Sequence, residues 1–420
     1  MTLRNHDSFR AEEPFATGGH AGSDERPVLR ATTPPRTAIA PLPVAINTSS
    51  LIRPLTGIGQ YTLHLSRGLR TEPDFALNYF YGYEWADAAE PREVPNLAFA
   101  KKWFKRLVPQ PYEVSRAFQQ NRFNSGLHAR RPLLYHEPNF LPFEFDGPTI
   151  LTIHDLSYLR FPETHPDLRV RVMNKMLPPA IERAAHLLTD SEFTRQEVMA
   201  EFGVAADRVT TTLLGVSDEF VPRSARQCDA VLRRHGLTYG GFVLAVGTLE
   251  PRKNLLQVIR AYVGLPSRIA QRYPLVIVGG IGWKSEGTAT ELNALLASGR
   301  ARRLGYLPEN ELPIIYSAAR MFVYPSLYEG FGLPAAEAMA SGVPVIASDR
   351  ASLPEVVGNA GITVQPNDVD GMRQAILRLV EDDDERARRA ASGLAQAQSF
   401  SWAKCARQTA MVYRNVLGRH

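Results

Sequence analysis

The chain has 420 residues, 44% hydrophobic and 22% charged, with a formal net charge of +5. That length exceeds one ordinary domain, and the composition excludes a disordered or fibrous chain in favour of a soluble globular protein with two domains and a cleft between them. No apolar run reaches the roughly 18 residues that cross a bilayer, and Cys228 and Cys405 follow no metal-ligand spacing, which fits a reducing compartment and inert thiols.

Residues 1–38 are polar, rich in Pro and Gly and without an apolar core segment, so a disordered extension is expected there rather than a signal peptide. Ordered sequence begins at PVAINTSSL, with Val44-Ala45-Ile46 as the first strand. The stretch RPLTGIGQYTLHL then places Gly57 and Gly59 just before an amphipathic helix, where a bulky group could approach the backbone. An ordinary tight turn explains that glycine pair equally well. Residues 101–131 are strongly basic, with Trp103, Phe104 and Phe118 interspersed. Such a stretch suits contact with an anionic membrane or simply a solvated helix face. No recognition motif accompanies it, so no nucleic-acid partner is expected.

Apolar strands follow at 148–154, 185–191 and 209–215, separated by helical stretches such as VRVMNKMLPPAIERA. His154 comes directly after the strand TILTI and should project from its carboxyl end into the cleft. Most histidines in such places bond the backbone, and no HxxxH or HxH partner suggests a metal. A polar link containing Pro222 is expected over 217–230.

A second series begins at GFVLAVG (241–247) and continues through PLVIVGG (274–280), MFVYPS (321–326) and VPVIAS (343–348). Gly247 and Thr248 end its first strand, and Arg252, Lys253 and Asn254 stand at the mouth of the next helix. Two cations at a helix start are locally unfavourable unless an anion such as a diphosphate binds there. In SLYEGFGLPAAEAMASGVPVIAS, Pro334 suits a first helical turn and Gly342 a helix end, so the unit reads strand, glycine loop, helix, strand. Its loop carries Glu329 and Glu337 at an anion-attracting sheet edge. On this stretch alone, Glu337 complementing the helix dipole beside a solvated Glu329 is as good an explanation as function. The last segment, FSWAKCARQTAMVYRNVL, reads as an amphipathic helix with Trp402, Ala406, Ala410, Val412, Tyr413 and Val416 available for packing. Strand and helix alternation in two series argues for two doubly wound α/β domains, over 39–220 and 236–398, followed by the terminal helix 399–420.

Taken in order, TGIGQYT, HDLSYLRFPE, TDSEFT, VGTLEPRKN, VGGIGW, GYLPENEL and YPSLYEGFGLPAAEAMASGVPV resemble glycosyltransferase family 4, the retaining nucleotide-sugar transferases of GT-B fold. The likeness runs from about residue 40 to the end. It implies two Rossmann-like domains, acceptor-binding then donor-binding, with the last helix crossing back to the first. Glu337 would take the donor's ribose hydroxyls and Glu329 a hydroxyl of the transferred sugar. Backbone N–H groups of Phe331 to Leu333, approached through Gly330 and Gly332, would meet the β-phosphate or the sugar. Arg252 and Lys253 would neutralise the leaving diphosphate, and Gly57, Gly59, Gly247 and Thr248 would line its seat. His154 would contact the sugar near its anomeric centre, and the base would lie against Tyr306 and Leu307. No cofactor and no metal is implied, because the fixed cations stabilise the leaving group and the acceptor attacks from the front face. The wording is similar to that of members moving mannose or rhamnose from GDP-sugars in O-antigen assembly, with a UDP-sugar open. The implied acceptor is a glycan, free or polyprenyl-diphosphate-linked, at the cytoplasmic face of the membrane. A GT-B hydrolase or epimerase, and a non-catalytic scaffold, are the alternatives.

Overall fold

A computed structural model describes residues 40–93, 111–280, 282 and 286–418. The expected extension 1–38, and Trp103 and Phe104 of the basic stretch, lie outside the described residues. The first sheet has seven strands: β1 Leu42–Asn47, β2 Phe75–Phe80, β3 Trp85–Ala86, β4 Leu134–Glu137, β5 Thr149–Ile153, β6 His186–Thr189 and β7 Val209–Thr211. The second has six: β8 Val243–Val246, β9 Leu275–Val278, β10 Ala301–Gly305, β11 Met321–Tyr324, β12 Val345–Ser348 and β13 Ile362–Val364. Their orders, β3-β2-β1-β4-β5-β6-β7 and β10-β9-β8-β11-β12-β13, repeat one topology. Every pairing is parallel except that of β2 with β3. Chain order therefore reverses beside β1 in one sheet and beside β8 in the other, and crevices open at the carboxyl ends of those strands.

The continuous apolar runs at β5, β8, β9, β11 and β12 are buried on both faces, as parallel strands require. Strands β4 and β10 escape that pattern for physical reasons. Strand β4 is short and carries His136 and Glu137 inside the core, while β10, beside β9 at one edge of its sheet, exposes Arg302 and Arg303.

Helix α1 (Gly57–Leu69) follows β1, α2 (Pro111–Arg130) precedes β4, and α3 (Asp167–Arg183) and α4 (Glu192–Phe202) flank β6. The stretch 217–230 is not all linker. It contains the start of α5 (Ala225–Arg234), where Ser224 donates its N–H to Gln227 Oε1 at 2.8 Å in a capping box. Cys228 on α5 is buried 3.6 Å from Ser317 of α7 (Leu312–Ser317). Helix α5 thus packs on the second domain ahead of residue 236, and the S-x-x-Q pattern marks its start. Helix α6 (Leu255–Val263) follows β8, and α8 (Leu333–Ala340) joins β11 to β12 with Pro334 in its first turn, as its sequence predicts. No helix among the described residues is long and apolar enough to cross a membrane.

The terminal helix α9 (Trp402–Val416) follows the second domain yet packs on α1 of the first. Ala406 sits where a side chain on Gly68 would fall, and Arg414 reaches Glu72 at 2.6 Å and Asp74 at 2.7 Å. Beneath it runs a buried polar chain: Tyr413 Oη to His136 Nδ1 at 2.7 Å, His136 Nε2 to Thr152 Oγ1 at 2.8 Å, and Thr152 Oγ1 to Tyr61 Oη at 3.0 Å. Burial lowers the His136 pKa to about 3, so the ring is neutral. Tyr413→Phe removes one link while keeping the packing, and leaves a buried ring nitrogen unpaired. We expect a loss of about 1–3 kcal/mol, measured by urea unfolding.

Candidate active site

The carboxyl ends of β8, β9 and β10 face the loop before α1, the segment 215–220 and Trp402. Between them lies a cleft of about 520 Å³. Of the residues singled out in sequence, Gly57, Gly247, Thr248, Tyr306, Leu307, Leu333 and Glu337 line it. The N-termini of α1 and α8 open onto it, presenting N–H groups and the positive ends of two helix dipoles. Arg53 and Glu309 meet across it at 2.9 Å. Glu337 is half-buried on this wall, and burial raises its pKa to about 7.

Arg252, Lys253 and Glu329 form a second group behind Gly247, where a Cβ would lie 3.8 Å from the Lys253 stem. Lys253 donates to Glu329 Oε1 at 2.6 Å and to Tyr324 Oη at 2.9 Å. Arg252 donates to Glu329 Oε2 at 3.1 Å, to the Tyr328 carbonyl at 2.6 Å and to Glu250 at 2.8 Å. Burial would raise the Glu329 pKa, but Lys253 and Arg252 outweigh it and hold the carboxyl down at about 2. The cations expected to need an external anion are therefore already matched by Glu329 and Glu250. Glu329, 7% exposed, stands behind the cleft wall rather than in it.

His154 follows β5, but its ring does not reach the cleft. Nε2 lies 2.7 Å from the Pro138 carbonyl, which can only accept, and Nδ1 lies 2.7 Å from Asp190 Oδ2. Nε2–H therefore donates to the carbonyl, and Nδ1 shares a proton with the Asp190 carboxyl. Burial lowers the His154 pKa, and Asp190 overcomes that to raise it. It is the backbone carbonyl of His154 that faces the second domain, where a Cβ on Gly330 would fall 1.7 Å from it. Gly330 is thus glycine where the two domains touch. Its own carbonyl accepts from Ser191 Oγ at 2.5 Å and Thr194 Oγ1 at 3.2 Å.

Three more residues serve packing. Phe331 is buried edge-on against Phe400 at 5.2 Å. Gly332 caps α8 at φ +100°, where a side chain would also strike Leu353. A Cβ on Gly59, within the first turn of α1, would fall 3.0 Å from the Ser50 carbonyl.

Sequence reading missed Asp190, Ser191 and Thr194, although TDSEFT places them where β6 hands over to α4. Ser191 caps α4 by accepting the Thr194 N–H at 3.1 Å. Glu355 completes that end from the second domain, accepting the N–H groups of Glu192 and Phe193 at 3.0 and 3.1 Å. Tyr328 Oη accepts the Leu156 N–H at 3.1 Å across the same boundary. A half-buried Glu355 with no periodic neighbour carries no sequence signal for such a role.

Removing His154 leaves Asp190 buried without its cation. His154→Ala should cost about 3–5 kcal/mol in urea unfolding, and adding Asp190→Asn should recover part of it. The sign with pH follows from the raised pKa. The pair's contribution is full below the unfolded value near 6.5 and is lost as pH rises through the higher folded value.

Residues 55–220 match the family model Glycosyltransferase Family 4, and residues 237–395 match Glycosyl transferases group 1. O-antigen chain mannosyltransferase B of Escherichia coli is 41% identical over 368 residues, which cover 86% of this chain and 96% of that protein. MMP alpha-(1->4)-mannosyltransferase of Mycolicibacterium hassiacum is 27% identical over 415 residues, covering 86% and 95%. Sucrose-phosphate synthase from Thermosynechococcus elongatus has a similar structure, with a TM-score of 0.70 at 20% identity over 90% of this chain and 99% of that one. At that identity the structural likeness speaks for the fold alone. Two like-wound parallel sheets around one cleft, each under its own family model, agree with the identity to the Escherichia coli protein: the chain belongs to the group 1 and family 4 glycosyltransferases and is a glycosyltransferase of GT-B fold.

Proposed function

We propose that this glycosyltransferase moves mannose from GDP-mannose to a growing surface glycan, with retention at the anomeric carbon and without a metal ion. The observation that carries this reading is the cleft itself. It combines two helix N-termini, a carboxylate at Glu337 and, directly behind Gly247, the buried cation pair Arg252 and Lys253. Both relatives described above are named mannosyltransferases, one of them for O-antigen chains.

On this reading Glu337 accepts the two ribose hydroxyls and the base rests against Tyr306 and Leu307. The diphosphate lies over Gly247 and Thr248 at the helix N-termini, and Lys253 shares its charge between Glu329 and the phosphate. As the bond from the anomeric carbon to the diphosphate oxygen breaks, negative charge grows where these donors stand, which lowers the barrier. The acceptor oxygen bonds to that carbon on the face the diphosphate leaves, and its proton passes to the departing phosphate oxygen. Glu329, behind the cleft wall, holds Lys253 and Arg252 in place for their role at the diphosphate. The paired His154 acts from behind, seating its carbonyl on Gly330 and so placing the Glu329 loop.

The acceptor is a glycan carried on a polyprenyl diphosphate, met at the cytoplasmic face of the membrane. Support comes from α2, where Val114 and Phe118 are 47% and 55% exposed one turn apart, beside Tyr83 at 54%. Basic residues Arg122 and Arg130 lie on the same helix, as a surface docking on anionic lipid requires.

Because a ligand of the native state raises the melting temperature, GDP and GDP-mannose should stabilise the protein more than UDP or UDP-glucose at equal concentration. Lys253→Ala and Glu337→Ala should each weaken GDP at least about tenfold in calorimetric titration, a loss of about 1.4 kcal/mol. Unchanged affinity in either variant removes that residue from the donor site. Ribose binding needs ionised Glu337, whose pKa of about 7 leaves it largely protonated at pH 6. GDP should therefore bind about tenfold more weakly at pH 6 than at pH 8, and Glu337→Gln should flatten that dependence.

A further inference from the structure

The donor cleft uses the crevice beside β8, and the equivalent crevice beside β1 in the first sheet holds a separate cavity of about 300 Å³. Asn47 reaches it from the end of β1, Glu137, Asn139 and Phe140 from the end of β4, and Arg116 and Arg169 from α2 and α3. No role has been given to any of these residues so far.

Glu137 is the unusual member, a carboxylate only 1% exposed on the wall of a polar cavity. Its three partners are neutral donors: Asn47 Nδ2 at 2.7 Å and Tyr135 Oη at 2.6 Å, both on Oε2, and the Asn139 N–H at 3.0 Å on Oε1. Oε1 therefore keeps a lone pair free to accept a hydroxyl. Arg116 donates to the Leu141 carbonyl at 3.0 Å and lies 4.8 Å above the Phe143 ring, which holds an apolar floor in place below the carboxylate.

The cavity's neighbours place it beside the transfer site. Pro138, next to Glu137, is the residue whose carbonyl holds His154, and the Phe140 ring lies 5.6 Å from that imidazole. Ile58 on its wall follows Gly57 on the donor cleft, so the two spaces lie on either side of the first turn of α1.

We infer that this cavity seats the terminal neutral hexopyranose of the acceptor glycan, with Glu137 accepting one of its hydroxyls. The side-chain amides of Asn47 and Asn139 meet others, and the floor of Phe140 and Phe143 takes a C–H face of the ring. The volume stands at the lower end of small-ligand sites, on the scale of one sugar ring. Arg116 and Arg169 share the wall with Glu137, but Arg116 is turned to the Leu141 and Pro142 carbonyls, and phosphate serves as the competing ligand in the test. The inference rests on the glycosyltransfer proposed above, which it extends to the acceptor.

Saturation-transfer NMR on the full chain saturated with GDP provides the test. The probes are methyl α-D-mannopyranoside, methyl α-D-glucopyranoside and methyl N-acetyl-α-D-glucosaminide, with sodium phosphate as the anionic control. At least one glycoside should bind the wild-type chain. Its dissociation constant should rise at least fivefold in Glu137→Gln and in Asn139→Ala, whose side chain is exposed and whose loss spares the core. Calorimetric GDP affinity should stay within twofold in both. Absence of any glycoside signal from chain that binds GDP, glycoside binding unchanged in both variants, displacement of the glycoside by phosphate, or a parallel loss of GDP affinity would each overturn the inference. Glycoside binding by wild-type chain that binds neither GDP nor UDP would leave the cavity assigned and defeat the donor reading instead.

Discussion

The architecture turns on one contact, the carbonyl of His154 seated on the α-carbon of Gly330. No side chain fits between them, so the carboxyl edges of the two sheets meet at a single distance. Around that contact hydrogen bonds cross between the domains. The Gly330 carbonyl takes Ser191 and Thr194, the Tyr328 hydroxyl takes Leu156, and Glu355 takes the first N–H groups of α4. Behind it, the His154 ring is clamped by Asp190 and Pro138, which stops the strand end from turning. A buried ion pair is weak evidence for stability, and its service here is positional.

The chemistry inherits this geometry. Glu329 precedes Gly330, so the contact that joins the domains also fixes the carboxylate that gathers Arg252 and Lys253. Two cations and two carboxylates, Glu329 and Glu250, neutralise one another in a region where unmatched charge would be costly. The cleft in front stays electrically permissive, with helix N-termini and a half-protonated Glu337 on its walls. Helix α9 adds a covalent return from the second domain to the first, anchored by Arg414 outside and by the Tyr413 to His136 chain within.

Much of this was legible in the amino-acid order. Buried parallel strands read as apolar runs because both faces are covered, and Pro334 announces the start of α8 by local sterics alone. The cleft residues Gly247, Thr248 and Glu337 were found because strand ends, glycines and helix starts leave a local signature. Strand β4 was missed because its His136 and Glu137 break the apolar run, for reasons lying 277 residues away at Tyr413 and across the first domain at Asn47. Helix α5 was read as linker because a polar capping box looks like one until its helix is seen to pack.

What the sequence by itself determined is the class of parts: two alternating series, their glycine loops, the carboxylates and cations of the second domain, and an amphipathic last helix. These follow from periodicity and backbone sterics, which act over a few residues. Only the tertiary structure decided the use of each part. It paired the buried His154 ring with Asp190, set Gly330 against the His154 carbonyl, and made Arg252 and Lys253 partners of Glu329. Which charge meets which is a matter of distance in space, and the partner pairs here stand 36, 76 and 77 residues apart.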